Sequence, residues 1–300
     1  MSLRTVVEYM DIAVIGAGAM GHGIAQVSAR AGHEVVVRDV ERELVDEGLA
    51  QVEANLEEAV EREKATADEV EATLARLEGT TSLSEAVADA DLAIEAVPED
   101  MGIKKDVFQD VEAGAPADAV IATNTSSLSV TELASVLDDA SRTLGLHFFN
   151  PTHIIPLVEI VVAERTSEKT LAIAEEYVEE IGKTAIEVQD TPGFASSRLG
   201  AMFSLEAIRM AEAGVASIED IDRTMRLGYN MPMGPIELVD HTGVDVNVEV
   251  LEYLRDELGE RFRPPQLLKR KYRAGKLGKK TGEGFYIWED GEKVGVSEET

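Results

Sequence analysis

Asp11-Ile12-Ala13-Val14-Ile15-Gly16-Ala17-Gly18-Ala19-Met20-Gly21 is the stretch from which the rest of the chain is read. A short apolar, β-branched run enters a G-x-G-x-x-G turn, and His22 to Arg30 continues as a helix that Gly32 ends. In the order strand, glycine turn, helix, the first glycine permits a tight turn and the second lets backbone approach a pyrophosphate. The third allows close helix packing, with the helix N-terminus facing the anion. Glu34 to Arg38 then reads as a second strand, and Asp39 closes it 23 residues after Gly16, where an acid holds ribose hydroxyls. A 2′-phosphate beside Asp39 would be repelled, even with Arg38 adjacent. Gly16, Gly18, Ala19, Met20, Gly21 and Asp39 therefore read as a binding site for NAD.

Further along, Glu41 to Leu77 reads as two long charged helices, with Leu49, Val52, Leu56 and Val60 at helical spacing and a break near Ala65 to Asp68. Such a hairpin is longer than a sheet crossover needs, and it is either a solvated excursion or an extension of a ligand surface. Strands follow at Asp91 to Val97 and Ala119 to Thr123, the latter ending in Asn124-Thr125-Ser126-Ser127. Strand ends of this kind converge on one edge of a doubly wound sheet, where ligands bind. Ser126 thus either points into a site or belongs to a cap and turn. A helix over Glu168 to Ile181 and a strand at Ile186 to Val188 complete the pattern. From Ser196 onward the segments are helical, and an exposed acidic tail is expected from Glu289.

The chemistry is placed in Gly145-Leu-His-Phe-Phe-Asn-Pro-Thr-His-Ile-Ile-Pro-Leu-Val-Glu159. His147 follows an apolar run that reads as a strand end. Pro151 and Pro156 prevent a regular helix before Leu157-Val158-Glu159 opens the next strand. An imidazole at a strand end, with a carboxylate returning 12 residues later, is what a general base needs: one ring nitrogen faces substrate while the acid orients the other. The plain alternative for His147 is a satisfied structural histidine.

Composition narrows the classes. The 300 residues are roughly two domains' worth, and 44% hydrophobic residues fill real cores. No apolar run approaches the roughly 18 residues of a membrane span, and MSLRTVVEY lacks the apolar block of a secretory signal, so a cytoplasmic location is expected. Residues 1–9, ahead of Met10, read as an extension. Absence of cysteine excludes disulfides and thiolate chemistry, and the five histidines show no metal-ligand spacing. A net charge of -30, from 58 acids against 28 bases, argues against nucleic acid as a partner. The acids are spread along the chain and Lys (11) is scarcer than Arg (17), a distribution that fits a salt-rich cytoplasm.

Taken together, IAVIGAGAMGHGIA, EAVPED, NTSSL, HFFNP with Glu159, DTPGF, MGPIELVD and GKKTGEGFY resemble the 3-hydroxyacyl-CoA dehydrogenase family, in particular its short-chain 3-hydroxybutyryl-CoA members, from Asp11 to Trp288. The expected fold is α/β: a Rossmann-type doubly wound parallel sheet over 10–190, with a helical hairpin insertion, then an all-α substrate and dimerisation domain over 191–300. The resemblance implies that His147 takes the 3-hydroxyl proton, that Glu159 orients it, and that Ser126 and Asn150 position the substrate oxygen while hydride passes between C3 and NAD. It also implies that Glu99 and Lys104 lie at the cofactor, that Lys64 helps hold the CoA moiety of an acyl-CoA substrate, and that the protein is a homodimer. Ser197 replaces the asparagine that better-known members carry before the arginine, and THIIPLVE lacks their lysine. The small hydroxy acid dehydrogenases of carnitine or gulonate type are therefore the alternative. An intact His147 and Glu159 speak against a non-catalytic, crystallin-like NAD-binding protein.

Overall fold

A computed structural model describes residues 9–298 of the chain, so all of the expected extension except Tyr9 lies outside the described residues. Two compact units divide the chain, the first ending at Thr191 and the second beginning at Pro192.

The first unit runs β1 (Asp11–Ile15), α1 (Gly21–Ala31), β2 (Glu34–Arg38), α2 (Arg42–Glu61), α3 (Ala67–Leu74), β3 (Leu77–Thr80), α4 (Leu83–Val87), β4 (Leu92–Glu95), α5 (Met101–Gly114), β5 (Val120–Thr123), α6 (Val130–Ala134), β6 (Thr143–Phe148), β7 (Leu157–Val162), α7 (Glu168–Glu180) and β8 (Thr184–Gln189). The sheet order is β3-β2-β1-β4-β5-β6-β7-β8. Neighbours are parallel except β6 and β7, which pair antiparallel. Helices cover both faces, which is why β1, β4 and β5 are near-continuous apolar runs rather than alternating ones. On β1, Ile12 and Val14 pack with Ile24, Val35 and Val37, while Ala13 and Ile15 pack on the opposite face with Phe108 and Val111. Each such Ile or Val, removed from water, contributes roughly 1.5–3 kcal/mol. The strand order reverses between β1 and β4, which opens a crevice at the carboxyl edge of the sheet.

Two features of this unit differ from the reading of the sequence. The charged hairpin is itself the crossover from β2 to β3, and its second helix has only 8 residues. Thr66 starts that helix by forming a capping box with Glu69. Strand β3, Leu-Glu-Gly-Thr, has almost no apolar pattern because it lies at the sheet edge. Its Gly79 makes room for α2, since a Cβ there would stand 2.6 Å from Val45 Cγ1.

The second unit comprises α8 (Ser196–Glu212), α9 (Ile218–Gly228), α10 (Pro235–Thr242), α11 (Val244–Leu258), α12 (Gln266–Arg273) and a hairpin of β9 (Tyr286–Glu289) and β10 (Glu292–Val296). Its core gathers Leu205, Ile208, Val239, Leu251, Leu268 and Phe285. The expected fraying tail is instead this hairpin, held by buried Tyr286 and Trp288, and Ser297 beyond it is also buried.

Candidate active site

The glycine turn follows β1 at the crevice. Gly16 has φ +110, its N–H donates to Arg38 O at 2.7 Å, and a Cβ on it would stand 2.5 Å from Ala96 O, so only glycine fits. Gly18 and Ala19 are exposed, and nothing lies within 4 Å of where a Gly18 Cβ would be. Bare backbone is thus offered to a ligand just before α1 begins at Gly21, with half-buried Met20 between. Asp39 is tied in place: its Oδ2 accepts Ala17 N–H at 2.8 Å and its Oδ1 accepts Val40 N–H at 2.7 Å. Remaining lone pairs on a fixed carboxylate suit a pair of ribose hydroxyls. Val40, Leu44, Val97, Ile103 and Val107 form the apolar walls of the same groove. These residues fit a dinucleotide: open backbone for the phosphates, a fixed acid for a ribose, apolar walls for a ring.

At the next two strand ends, Glu99 and Lys104 belong to one hydrogen-bonded network, with Lys104 buried and Glu99 at the surface. Lys104 does not face the groove as expected; its side chain is 1% exposed, and its neighbour Ile103 lines the groove instead. The Lys104 ammonium donates to Glu95 Oε1 at 2.7 Å and lies 3.3 Å from Glu99 Oε2. Glu99 Oε1 in turn accepts Thr125 Oγ1 (2.6 Å), Ser126 N (2.9 Å) and Ser126 Oγ (3.3 Å). Burial pushes the Glu99 carboxyl up, but Lys104, Thr125 and the Ser126 N–H outweigh it and hold the group below the usual range. Ser126 is half-buried, in the loop that the sequence marks with Asn, Thr and Ser.

His147 and Glu159 are direct partners in the antiparallel β6–β7 register. The ring Nδ1 is 2.6 Å from Glu159 Oε2; His147 is 6% exposed and Glu159 0%. An ionised carboxylate only accepts, so Nδ1 carries the hydrogen and Nε2 is the basic atom of the neutral ring. Phe149 packs against the imidazole with ring centroids 4.6 Å apart. Asn150 is exposed in the loop after β6.

The other expected contacts lie elsewhere. Lys64 is exposed in the turn between α2 and α3, where its carbonyl accepts Arg30 Nη2 at 3.5 Å. Arg62 beside it is paired with Glu58. Ser197 is half-buried in the first turn of α8, in the second unit. Reading the sequence missed two residues. Asn124, whose Oδ1 accepts Phe148 N–H at 2.9 Å, ties the end of β5 to the residue after His147. Glu95 was the other, although a lone carboxylate inside the apolar run Leu-Ala-Ile-Glu-Ala-Val is a signal of its own.

A dinucleotide groove at the switch point, and a buried acid-oriented imidazole at the carboxyl edge of the same sheet, define a nicotinamide-dependent oxidoreductase. Residues 11–191 match the family described as 3-hydroxyacyl-CoA dehydrogenase, NAD binding domain, and residues 193–288 match 3-hydroxyacyl-CoA dehydrogenase, C-terminal domain. The chain belongs to this family of NAD-dependent enzymes. It is 41% identical over 284 residues to the probable 3-hydroxybutyryl-CoA dehydrogenase of Bacillus subtilis, with 94% of this chain and 99% of the relative covered. The mitochondrial hydroxyacyl-coenzyme A dehydrogenase of Sus scrofa is 38% identical over 282 residues, at 92% and 90% coverage. The crystal structure of (S)-3-hydroxybutyryl-CoA dehydrogenase PaaH1 from Ralstonia eutropha is similar at a TM-score of 0.91, with 37% identity, 94% of this chain and 100% of that chain covered.

Proposed function

We propose that the protein interconverts a short-chain L-3-hydroxyacyl-CoA, 3-hydroxybutyryl-CoA in particular, and the 3-ketoacyl-CoA. The observation that carries this reading is the His147–Glu159 register pair at 2.6 Å. NAD, when bound, supplies the acceptor for the hydride from C3. His147 Nε2 removes the 3-hydroxyl proton, and Glu159 stabilises the imidazolium as it forms; in reverse the same imidazolium returns the proton to the alkoxide. Ser126, held by Glu99, and Asn150 position the substrate oxygen. A positioned base of this kind is worth roughly 10²–10⁴-fold in rate.

Lys64, with Arg30 against its carbonyl, gives the hairpin tip two exposed cations. The cleft between α2 and α3 is lined by Glu57, Glu61 and Glu71 and would repel phosphate. The anionic end of CoA is therefore assigned to the tip and not to that cleft. Among the described residues no helix is long and apolar enough to cross a membrane, in keeping with an enzyme of the cytoplasm. Leu199 (61% exposed) and Phe203 (48%) line an apolar hollow with Met202, Met210 and Met225 on the second unit, a surface suited to a second copy of the chain. The net charge of -30 suits a salt-rich interior.

The test is spectrophotometric: NADH with acetoacetyl-CoA, and NAD with carnitine and with gulonate, in molar KCl. Acetoacetyl-CoA is expected to have by far the highest kcat/KM, and Lys64→Glu to raise its KM with NADH affinity unchanged. A higher kcat/KM for carnitine or gulonate would replace this reading with that of a small hydroxy acid dehydrogenase.

A further inference from the structure

Glu95 ends the strand next to β1 and pairs in register with Ile15 on one side and Thr123 on the other. It therefore lies beneath both the glycine turn and the Asn124–Ser127 loop. Its side chain is 1% exposed, where an isolated charge is costly unless every lone pair is used. All its contacts are donors: Val97 N–H at 2.7 Å and Lys104 Nζ at 2.7 Å on Oε1, and Thr123 Oγ1 at 2.7 Å on Oε2. Thr123 Oγ1 accepts Thr125 N–H at 3.2 Å and gives its own hydrogen to Glu95. Thr125 repeats the device. Its Oγ1 accepts Leu128 N–H at 2.9 Å and Ser127 N–H at 3.3 Å, and gives its hydrogen to Glu99. Burial pushes the Glu95 carboxyl up, while Lys104, the Thr123 hydroxyl and the Val97 N–H all favour the carboxylate, and the Lys104 ammonium at 2.7 Å pairs with it.

Two carboxylates thus share one buried ammonium, and each feeds a threonine that holds the loop bearing Ser126. The main-chain carbonyl of Glu95 also accepts Asn124 N–H at 2.8 Å, and the Asn124 side chain holds Phe148 N–H next to His147. We propose that Glu95 and Lys104 are positioning residues for the dehydrogenation: their ion pair, braced by Thr123, fixes Glu99 so that Glu99 orients the Ser126 loop over the sheet edge. This rests on the reading that Ser126 serves the reaction.

A double-mutant cycle tests it. Glu95→Gln keeps the shape but removes the charge, and kcat for acetoacetyl-CoA reduction is expected to fall about tenfold with KM changed much less. In a Ser126→Ala background the same substitution is expected to cost less than about twofold, since the group it positions is gone. A purely structural role would lower the melting temperature and leave the same ratio in both backgrounds, and that result, or wild-type kcat in Glu95→Gln, overturns the proposal. Should Glu95→Gln not fold, Thr123→Val removes one donor at constant shape and is carried through the same cycle, with about a threefold loss expected in the wild-type background and none in the other. Hydrogen–deuterium exchange of the 124–128 amides gives a readout independent of turnover. It is expected to accelerate at least about tenfold in the variant, and unchanged exchange counts against the proposal even in an inactive protein. Failure of the dehydrogenase reading is distinguishable, since it is seen in the wild-type chain as absence of acetoacetyl-CoA turnover.

Discussion

In the first unit buried Glu95 and exposed Glu99 share the ammonium of Lys104 and hold a loop at the sheet edge, whereas in the second unit Asp222 and Asp240 are held by main-chain and aromatic donors. Asp222 accepts Ile236 N–H at 2.8 Å and Glu237 N–H at 2.9 Å at the start of α10, and takes the Tyr286 hydroxyl at 2.7 Å. Asp240 accepts Phe285 N–H and Tyr286 N–H, both at 2.8 Å, and the Trp288 indole at 3.0 Å. The glycines of the two motifs follow from these acids: a Cβ on Gly234 would overlap Asp222, and one on Gly284 would overlap Asp240. Burial raises both aspartyl pKa values, and the donors only partly offset it. A raised acid contributes stability that is present below the unfolded pKa and lost as pH rises through the folded one. Glu99, held below its ordinary 4.5, contributes stability that is present above that value and lost as pH falls through the folded pKa. Burial raises the Glu95 carboxyl as well, so the two sets differ in their partners: the acids around Lys104 hold one loop at the sheet edge, and the acids set against neutral donors join distant segments.

The widest gap between the two units is expected in turnover. His147→Ala and Glu159→Gln should each lower kcat by about a hundredfold or more, with NADH affinity within about twofold by fluorescence titration. Near wild-type turnover in either variant would remove the base from β6.

Stability should show the reverse. Asp240→Asn turns an amide NH2 either toward Phe285 N–H or toward Tyr286 N–H and the Trp288 indole, so it should cost about 2–3 kcal/mol in a denaturant titration. Below its melting point the variant should keep wild-type kcat, as Asp240 belongs to the structural acids. An unchanged denaturation midpoint would mean that the folded protein holds Asp240 protonated, and the contrast between the units would fail there.

Salt should act on both units together. The charge of -30 repels itself over a screening length of about 10 Å at 0.1 M, shrinking to about 3 Å at 1 M. The melting temperature should therefore climb by several degrees between those KCl concentrations, with kcat/KM for the anionic substrate rising as well. A flat or falling curve would exclude adaptation to salt.

What could be read from sequence was whatever depends on neighbours along the chain. The glycine turn, Asp39 and the two strands around Pro151 and Pro156 are set by local steric rules, and the β6–β7 register follows because both runs bury their apolar side chains. The Glu95–Lys104 pair was not legible, since nothing in a nine-residue spacing says that α5 returns a lysine beneath the sheet edge. The terminal hairpin was hidden for a related reason. Its anchors, Asp222 and Asp240, lie 64 and 46 residues before Tyr286, so a segment that is polar by composition is ordered by contacts the local pattern does not carry.

The smallest expected effect concerns His33, a buried histidine within the first unit. The ring is 0% exposed, and its Nδ1 accepts Met10 N–H at 3.2 Å, so Nε2 carries the hydrogen and faces Glu180 Oε2 at 3.6 Å, too far for a good bond. Neither of these two atoms has a hydrogen-bond partner among the described residues. Burial lowers the His33 pKa from 6.5, while burial and the neighbours Glu176 and Glu179 raise that of Glu180. A histidine depressed in the folded state contributes stability that is present above 6.5 and is lost as pH falls below it, because the unfolded chain takes the proton first. Glu180 works in the opposite sense, gaining stability as pH falls, but its window opens at its raised pKa and extends down toward 4.5. Unfolding free energy should therefore fall as the wild type is titrated below pH 6.5, with a slope from this one proton of at most about 1.4 kcal/mol per pH unit. His33→Gln removes the titrating group and should flatten that segment of the curve by the same amount while leaving turnover untouched. An identical slope in the variant would mean that His33 is already protonated in the folded state, paired with an ionised Glu180.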